Sequence, residues 1–531
     1  MDRSRRHLLQ AAALAGAAHA LVPVAAATRD APIARTHSGR IVGVRDVAAD
    51  ARDVLCFRGI PYAAAGASAR FLPARAETPW RGLRDASRFG AHAPQSGALG
   101  PGEEECLFLN VWTPALRDGA RRPVLVYIHG GGYHTGSGSD PLYDGARLCR
   151  RGDAVVITLN HRLNLFGYLY LGEFDPRYAD TGNLGQLDLI EALRWVRTHA
   201  SEFGGDAANV TVFGQSGGGA KIATLMAMPA AAGLFQRAMT MSGQQVTAAG
   251  PRAAAQRAKR FLDALGVAPE RLDRLRTLPV EALLQAAKTP DPSPIEEMSL
   301  YFGPVLDGRH LPRHPFHPDA PAQSAAIPMI IGNTRDETRA FLGNDHAHHR
   351  LTWPQLPERL RRHQYVDLPV ETVIAEYRRL YPHYTPSQVF FAATTAGRSW
   401  RGAVLEAEAR ARQGAPTWVY QLDFPSPLDG GKFGAMHTLD IPLVFDNIRQ
   451  PGSRTGTGDE AQTEADAMSA ALLAFARSGD PNHRGLPHWP RYDLARRATM
   501  RFDTVSRADD DPRGGERVLY ETAPFVQRGT F

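Results

Sequence analysis

Cysteine is scarce: the 531 residues contain three, Cys56, Cys106 and Cys149. An odd, low count with no CxxC pair excludes a disulfide framework and supplies no metal or redox motif, so all three are expected to be structural thiols. Lysine occurs only at Lys221, Lys259, Lys288 and Lys432, and the net charge of +6 comes from arginines scattered along the chain. No basic block interleaved with aromatics is present, which argues against a nucleic-acid partner. An uninterrupted apolar run of membrane-spanning length is also missing. The apolar stretch from Ala11 to about Ala27 is broken by His19 and Pro23, and stable membrane insertion is not expected. From about Ser38 onward there are no repeats, no low-complexity linker and no break in composition.

With 43% hydrophobic and 22% charged residues, the chain has enough apolar material for a large core. Its N-terminus reads differently from the rest. Ser4-Arg5-Arg6-His7-Leu8-Leu9 precedes the Ala-rich stretch and the small residues Ala25-Ala26-Ala27. This order fits a cleaved export signal over residues 1–27, and the arginine pair resembles a twin-arginine signal. The expected location is periplasmic or secreted, with residues 28–531 forming a single catalytic domain.

Short apolar runs alternate with longer helical stretches. Val124–Ile128 and Val155–Leu159 are continuous apolar segments of strand length, the pattern of parallel strands buried on both faces. Leu189–Ala200 has helical apolar spacing, Val210–Phe213 is a strand, and Ala220–Met228 is a helix stopped by Pro229. Pro328–Ile331 and Trp418–Leu422 are later strands. The alternation predicts an α/β fold with a mostly parallel central sheet flanked by helices. Arg/Ala-rich helical segments near 251–300 and 350–410 are expected as cap insertions, and Gly452–Glu460 as a surface loop.

Two glycine-rich segments carry chemistry. Gly214-Gln215-Ser216-Gly217-Gly218 lies between a strand and a helix, the setting in which GxSxG holds a nucleophilic serine on a sharp turn. The helix N-terminus adds positive potential and free N–H groups beside Ser216, as an acyl oxyanion requires. His129-Gly130-Gly131-Gly132-Tyr133 follows another strand. With no GK[ST] and no dinucleotide acid downstream, it reads as an oxyanion loop rather than a phosphate cradle. The backbone N–H groups of Gly131, Gly132 and Gly217 are the candidate oxyanion donors; losing one such donor typically costs about 3–4 kcal/mol in the transition state.

Further segments share one likeness: Phe57-Arg58-Gly59-Ile60-Pro61-Tyr62-Ala63, Glu104-Glu105-Cys106-Leu107-Phe108-Leu109-Asn110, Asn160-His161-Arg162-Leu163, Gly182-Asn183-Leu184-Gly185, Phe203-Gly204-Gly205-Asp206 and Gly479-Asp480-Pro481-Asn482. Over residues 38–503 the chain resembles the type-B carboxylesterases, the family that includes the cholinesterases, and is more similar to bacterial members. The resemblance implies an α/β-hydrolase fold and a Ser–acid–His order. Glu337, in Gly332-Asn333-Thr334-Arg335-Asp336-Glu337, falls on the acid position, with Asp336 as the alternative and Thr338 where glycine is usual. His437 matches the histidine segment Gly434–Pro442.

The implied activity is hydrolysis of small hydrophobic carboxylic esters through an acyl-enzyme, with Ser216 as nucleophile, His437 as base and Glu337 orienting it. Amides, carbamates, lactones or a specialised detoxification substrate are the alternative for the same residues. No cofactor or metal is implied; His314/His317 and His346/His348/His349 lack a supporting carboxylate or thiol context. The family's disulfide to Cys106 has no partner near Ala93–Ser96. The short segment between Ser96 and Glu103 lacks the tryptophan with which cholinesterases hold choline. Arg70 and Glu104 resemble a family salt bridge, and Ser242 is a candidate support for the triad. Tyr133, Tyr301, Phe302, Phe341 and Phe433 are candidate acyl-pocket residues. The sequence carries no signal for oligomeric state.

Overall fold

The computed structural model describes residues 31–48, 51–293 and 299–527, so the expected export segment lies outside the described residues. The main strands are β1 (Val44–Ala48), β2 (Ala51–Pro61), β3 (Phe108–Thr113), β4 (Arg122–Ile128), β5 (Val155–Leu159), β6 (Gly205–Gln215), β7 (Arg237–Met241), β8 (Met329–Thr334), β9 (Thr417–Leu422), β10 (Ala498–Phe502) and β11 (Arg507–Asp510). They form one sheet in the order β11-β10-β9-β8-β7-β6-β4-β5-β3-β2-β1. Strands β5 to β10 and β4 pair in parallel, while β1, β2, β3 and β11 are antiparallel additions at the edges. Three short strands, Ile33–Arg35, Arg40–Val42 and Leu83–Asp85, make a separate small sheet.

The unbroken apolar run of β4 follows from coverage on both faces. Val124, Val126 and Ile128 enter one core cluster, while Leu125 and Tyr127 enter another on the opposite side. Helices α1 (Leu184–His199), α2 (Gly217–Leu225) and α8 (Asp459–Ser478) pack against this sheet, together with shorter segments. The late insertions fall where the sequence placed them. Helix α3 (Pro251–Ala264) lies between β7 and β8, and α4 (Leu356–His363), α5 (Val370–Leu380), α6 (Pro386–Thr395) and α7 (Arg401–Arg412) lie between β8 and β9. Helices α4 to α6 have an apolar cluster of their own, centred on Leu356, Val373, Tyr377 and Phe390.

Some boundaries differ from expectation. The loop expected at 452–460 ends at Gly458, where α8 begins with Asp459 and Glu460 in its first turn; acidic side chains suit the positive end of the helix. Helix α2 begins at Gly217, not Ala220, so three glycines occupy its first turn. Their poor helix propensity is overridden by close backbone packing: a Cβ on Gly218 would stand 1.9 Å from the Ile128 carbonyl oxygen.

Buried ion pairs tie the loops to this frame. Arg162 donates to Asp188 through Nε at 2.8 Å and Nη2 at 2.6 Å, both residues being fully enclosed. Arg70 forms the expected pair with Glu104, Nε to Oε2 at 2.6 Å, and also donates to the carbonyls of Leu275 and Leu278. Cys56, Cys106 and Cys149 are free and buried. Among the described residues no helix is long and apolar enough to cross a membrane.

Candidate active site

The candidate catalytic residues come from loops at the carboxyl ends of the parallel strands. Ser216 directly follows β6, the glycine loop follows β4, Glu337 lies three residues beyond β8, and His437 lies in the loop region after β9. Strands β4 and β6 are neighbours in register, Ile128 opposite Gly214. From β4 the chain leaves to β5 on one side and from β6 it leaves to β7 on the other, which makes this the switch point where a crevice opens in such sheets.

Ser216 has φ +56° and ψ −128°, a strained conformation for a residue with a side chain. The turn is pinned by its N–H donating to the Met241 carbonyl at 2.8 Å. Ser216 is half-buried, so its hydroxyl can be reached, whereas Glu337 and His437 are enclosed.

The candidate oxyanion loop is oriented by what its carbonyls accept. Because N–H and C=O of a trans peptide point in opposite directions, fixing one aims the other. The Gly130 carbonyl accepts from His129 Nδ1 at 2.9 Å, which turns the Gly131 N–H away from that side. The Gly131 carbonyl accepts the N–H groups of His134 and Thr135 at 3.2 and 3.1 Å, which does the same for Gly132. Gly131 and Gly132 have φ of +83° and +60°, and a Cβ on Gly131 would stand 2.4 Å from the Thr135 carbonyl. Gly217 packs directly on this loop, its missing Cβ falling 2.1 Å from the Gly132 oxygen.

Of the two acids proposed by the sequence, Glu337 faces the histidine: its Oε2 accepts a hydrogen bond from His437 Nδ1. Its Oε1 accepts from the Thr334 N–H at 2.9 Å and Asn333 Nδ2 at 3.3 Å. Burial works against the charge, but the imidazole, the Thr334 amide and the nearby Ser242 hydroxyl outweigh it and hold the carboxyl below its usual range. Ser242 sits at φ +49° with its buried Oγ close to the Glu337 carboxylate. Asp336 points elsewhere, to Arg339 Nε at 3.1 Å and the Ala435 N–H at 3.0 Å.

With Nδ1 bound to Glu337, the basic edge of His437 is Nε2. Ser216 Oγ makes no hydrogen bond to it among the described residues; such contacts commonly tighten only with substrate. The Gln215 amide nitrogen lies 3.2 Å from Nε2 and 3.4 Å from Nδ1, nearly equidistant and end-on to neither. Asp440, one turn beyond His437, accepts from the Tyr420 hydroxyl at 2.8 Å, and burial followed by repulsion from Glu337 pushes it up to about 6.

Sequence reasoning missed Gln215, Asp440 and two further residues. Thr338, noted only as a departure from glycine, donates to the Phe391 carbonyl at 3.1 Å and meets the Thr394 and Thr395 hydroxyls at 2.7 and 3.0 Å, fastening the acid loop to α6. Lys221 is fully enclosed beside the glycine loop; a lysine within the apolar start of α2, in a chain with so few, was the available signal. The aromatic candidates separate. Phe341 is 43% exposed with its ring 5.0 Å from that of His437. Phe302 is instead packed against Phe261 of α3, and Tyr133 is buried with its hydroxyl donating to Gln245. Tyr301 stands edge-on to Tyr133, and Phe433 is buried against Lys432 and Arg454. No group of three or more His, Cys, Asp or Glu among the described residues is placed to hold a metal ion.

A family model described as "Carboxylesterase family" matches residues 30–516. The chain belongs to the carboxylesterase family. Its relatives include the para-nitrobenzyl esterase of Bacillus subtilis, 36% identical over 498 residues covering 91% of this chain and 97% of that one. The fumonisin B1 esterase of Sphingopyxis macrogoltabida is 32% identical, with 89% and 87% covered. Among solved structures, a carboxylesterase of Geobacillus stearothermophilus superposes with a TM-score of 0.80 at 38% identity, covering 92% of this chain and 99% of that one. This carboxylesterase therefore has the α/β-hydrolase fold and is a carboxylic ester hydrolase.

Proposed function

We propose that this carboxylesterase cleaves small hydrophobic esters by acyl transfer through Ser216, His437 and Glu337. The observation that carries the reading is the buried Glu337–His437 pair at the same sheet edge as the strained, reachable Ser216. Glu337 fixes the Nδ1–H tautomer, leaving Nε2 to take the Ser216 proton as Oγ bonds to the ester carbon. The negative charge on the carbonyl oxygen is met by the N–H groups of Gly131, Gly132 and Gly217. The C–O bond to the alcohol then breaks, with the proton passing from His437 to the leaving oxygen. Water, deprotonated by the same nitrogen, releases the acid.

The exposed Phe341 ring beside His437 gives the approach an apolar wall, with the Arg398 guanidinium over that ring at 3.8 Å, and this wall supports small hydrophobic esters as substrates. The test is a panel of aryl esters from acetate to palmitate with matched amides, run on wild type and Ser216→Ala. Ester turnover is expected to exceed amide turnover and to fall by roughly 10⁴–10⁶-fold in Ser216→Ala. Undiminished hydrolysis in the variant overturns the mechanism, and faster amide turnover reassigns the substrate class. We also infer export directed by residues 1–27, which replacing Arg5 and Arg6 by lysine should retain in the cytoplasm.

A further inference from the structure

Lys221 is the one charged side chain on the first two turns of α2, and burial there demands a reason. It is four residues beyond Gly217, so the two share a face of the helix. That face meets the oxyanion loop. The missing Gly217 Cβ would abut the Gly132 oxygen, and Lys221 Nζ donates to the same oxygen at 2.8 Å and to the His129 carbonyl at 3.3 Å. The intervening carbonyls, Gly130 and Gly131, are held by His129 Nδ1 and by the His134 and Thr135 amides. Four consecutive carbonyls of the loop are thus bonded, and the two outermost are held by one amine carried on the nucleophile's helix.

We propose that Lys221 is a positioning residue for ester cleavage, clamping the His129 and Gly132 carbonyls so that the glycine-loop amides stay aimed at the oxyanion formed at Ser216. The inference rests on the acyl-transfer reading above and adds to it the element that holds the oxyanion loop to the nucleophile's helix. Without the clamp, the His129–Gly130 and Gly132–Tyr133 peptides that bracket the two donor peptides lose their anchors, and the loop can shift against the nucleophile's helix while the triad is untouched.

The chemistry around Nζ suits a clamp that does not depend on its charge. The titratable groups facing it are His129 and His161, their rings tilted against each other at 4.7 Å, and Tyr133, whose ring lies 5.5 Å from Nζ. Burial, and secondarily Lys221 itself, drives His129 down to about 3 and His161 well below its usual value, so both are neutral. The Tyr133 hydroxyl is engaged with Gln245, whose N–H in turn donates to the buried Glu406. Burial brings the Lys221 amine down to about 7. A neutral amine still has two N–H groups, the number of carbonyls it must hold. The clamp therefore survives titration.

The test compares wild type, Lys221→Met, which keeps the stem but removes the donors, and Lys221→Gln, which keeps two N–H groups on a stem one atom shorter. Readouts are kcat and KM on an aryl butyrate, thermal midpoint, and affinity for an alkyl trifluoromethyl ketone. In that adduct Ser216 Oγ bonds to the carbonyl carbon, its proton goes to His437, and the ketone oxygen becomes the oxyanion. Lys221→Met is expected to lower kcat about 10- to 100-fold with KM within about threefold, and to weaken the ketone by the same factor. Its loss should be uniform from pH 6 to 9, and Lys221→Gln should recover part of it. Unchanged kcat, a KM effect alone, or full ketone affinity in folded Lys221→Met overturns the proposal. So does failure of both variants to fold, which assigns Lys221 to stability. Ser216→Ala in the same assay keeps the two readings apart: retained turnover there refutes the acyl-transfer reading itself, whereas a dead Ser216→Ala beside a fully active Lys221→Met refutes only the clamp.

Discussion

Strain at Ser216 and charge at Glu337 are two local costs that the surrounding residues hold in place. The serine's positive φ persists because its amide is tied to Met241 and its helix packs backbone-to-backbone on Ile128. The carboxylate stays ionised despite full burial because each oxygen has a donor. Replacing Glu337 by Gln removes the charge that fixes the histidine tautomer but keeps the shape. We expect kcat to fall about 10²–10⁴-fold with little change in KM, measured on a chromogenic ester. At this scale the sequence was readable where local chemistry is demanding. Glycine at 131, 217 and 218 and serine at 216 follow from the turn itself. His437, one of nineteen histidines, could be found only through its flanking segment, because nothing in an isolated histidine records which carboxylate it will meet. Thr338 and Lys221 act through partners far away in the chain, so their roles were illegible without the fold.

Among the elements, the contact of α2 with the end of β4 leaves no room for a side chain. A methyl group on Gly218 would collide with the Ile128 backbone at 1.9 Å and the His129 backbone at 3.0 Å, neither of which can swing aside like a flexible side chain. Gly218→Ala is therefore expected to lose most activity and to destabilise the fold by about 1–3 kcal/mol, read as lower soluble yield and an earlier denaturant midpoint. Strand positions were legible from continuous apolar runs, and the cap insertions from helical Arg/Ala-rich spacing. The start of α2 was not, since propensity rules place glycine outside helices and only tertiary packing reverses that. The length of β6 was likewise underestimated: its first half, Gly205–Asn209, is polar and pairs only at the sheet's amino edge.

Across the whole molecule, burial pushes several acids above their usual range, and they set a pH dependence of stability separate from catalysis. Glu464 on α8 is pushed up to about 8, chiefly by burial and then by Asp503, and its Oε1 has no hydrogen-bond partner among the described residues. Between about pH 4.5 and 8 the folded state keeps a proton that the unfolded chain releases, so stability falls as pH rises through that window and is level above it. Glu464→Gln removes this contribution. Its thermal midpoint should match wild type at pH 5 and exceed it at pH 8.5 by about 1–4 °C in a scanning experiment; equal midpoints at both pH values contradict the assignment. Glu406, also pushed up to about 8 by burial, adds a slope of the same sign that this variant leaves in place. The contact of Gly217 with Gly132 has a different reach. Where two main chains touch with no side chain between them, substitution has nothing to vary. In a saturation scan, positions 131, 217 and 218 should form an intolerant track, and diversification toward new esters has to enter through the surrounding ring, Phe341 and the inserted helices. The same scaffold can then change its diet without relearning its chemistry.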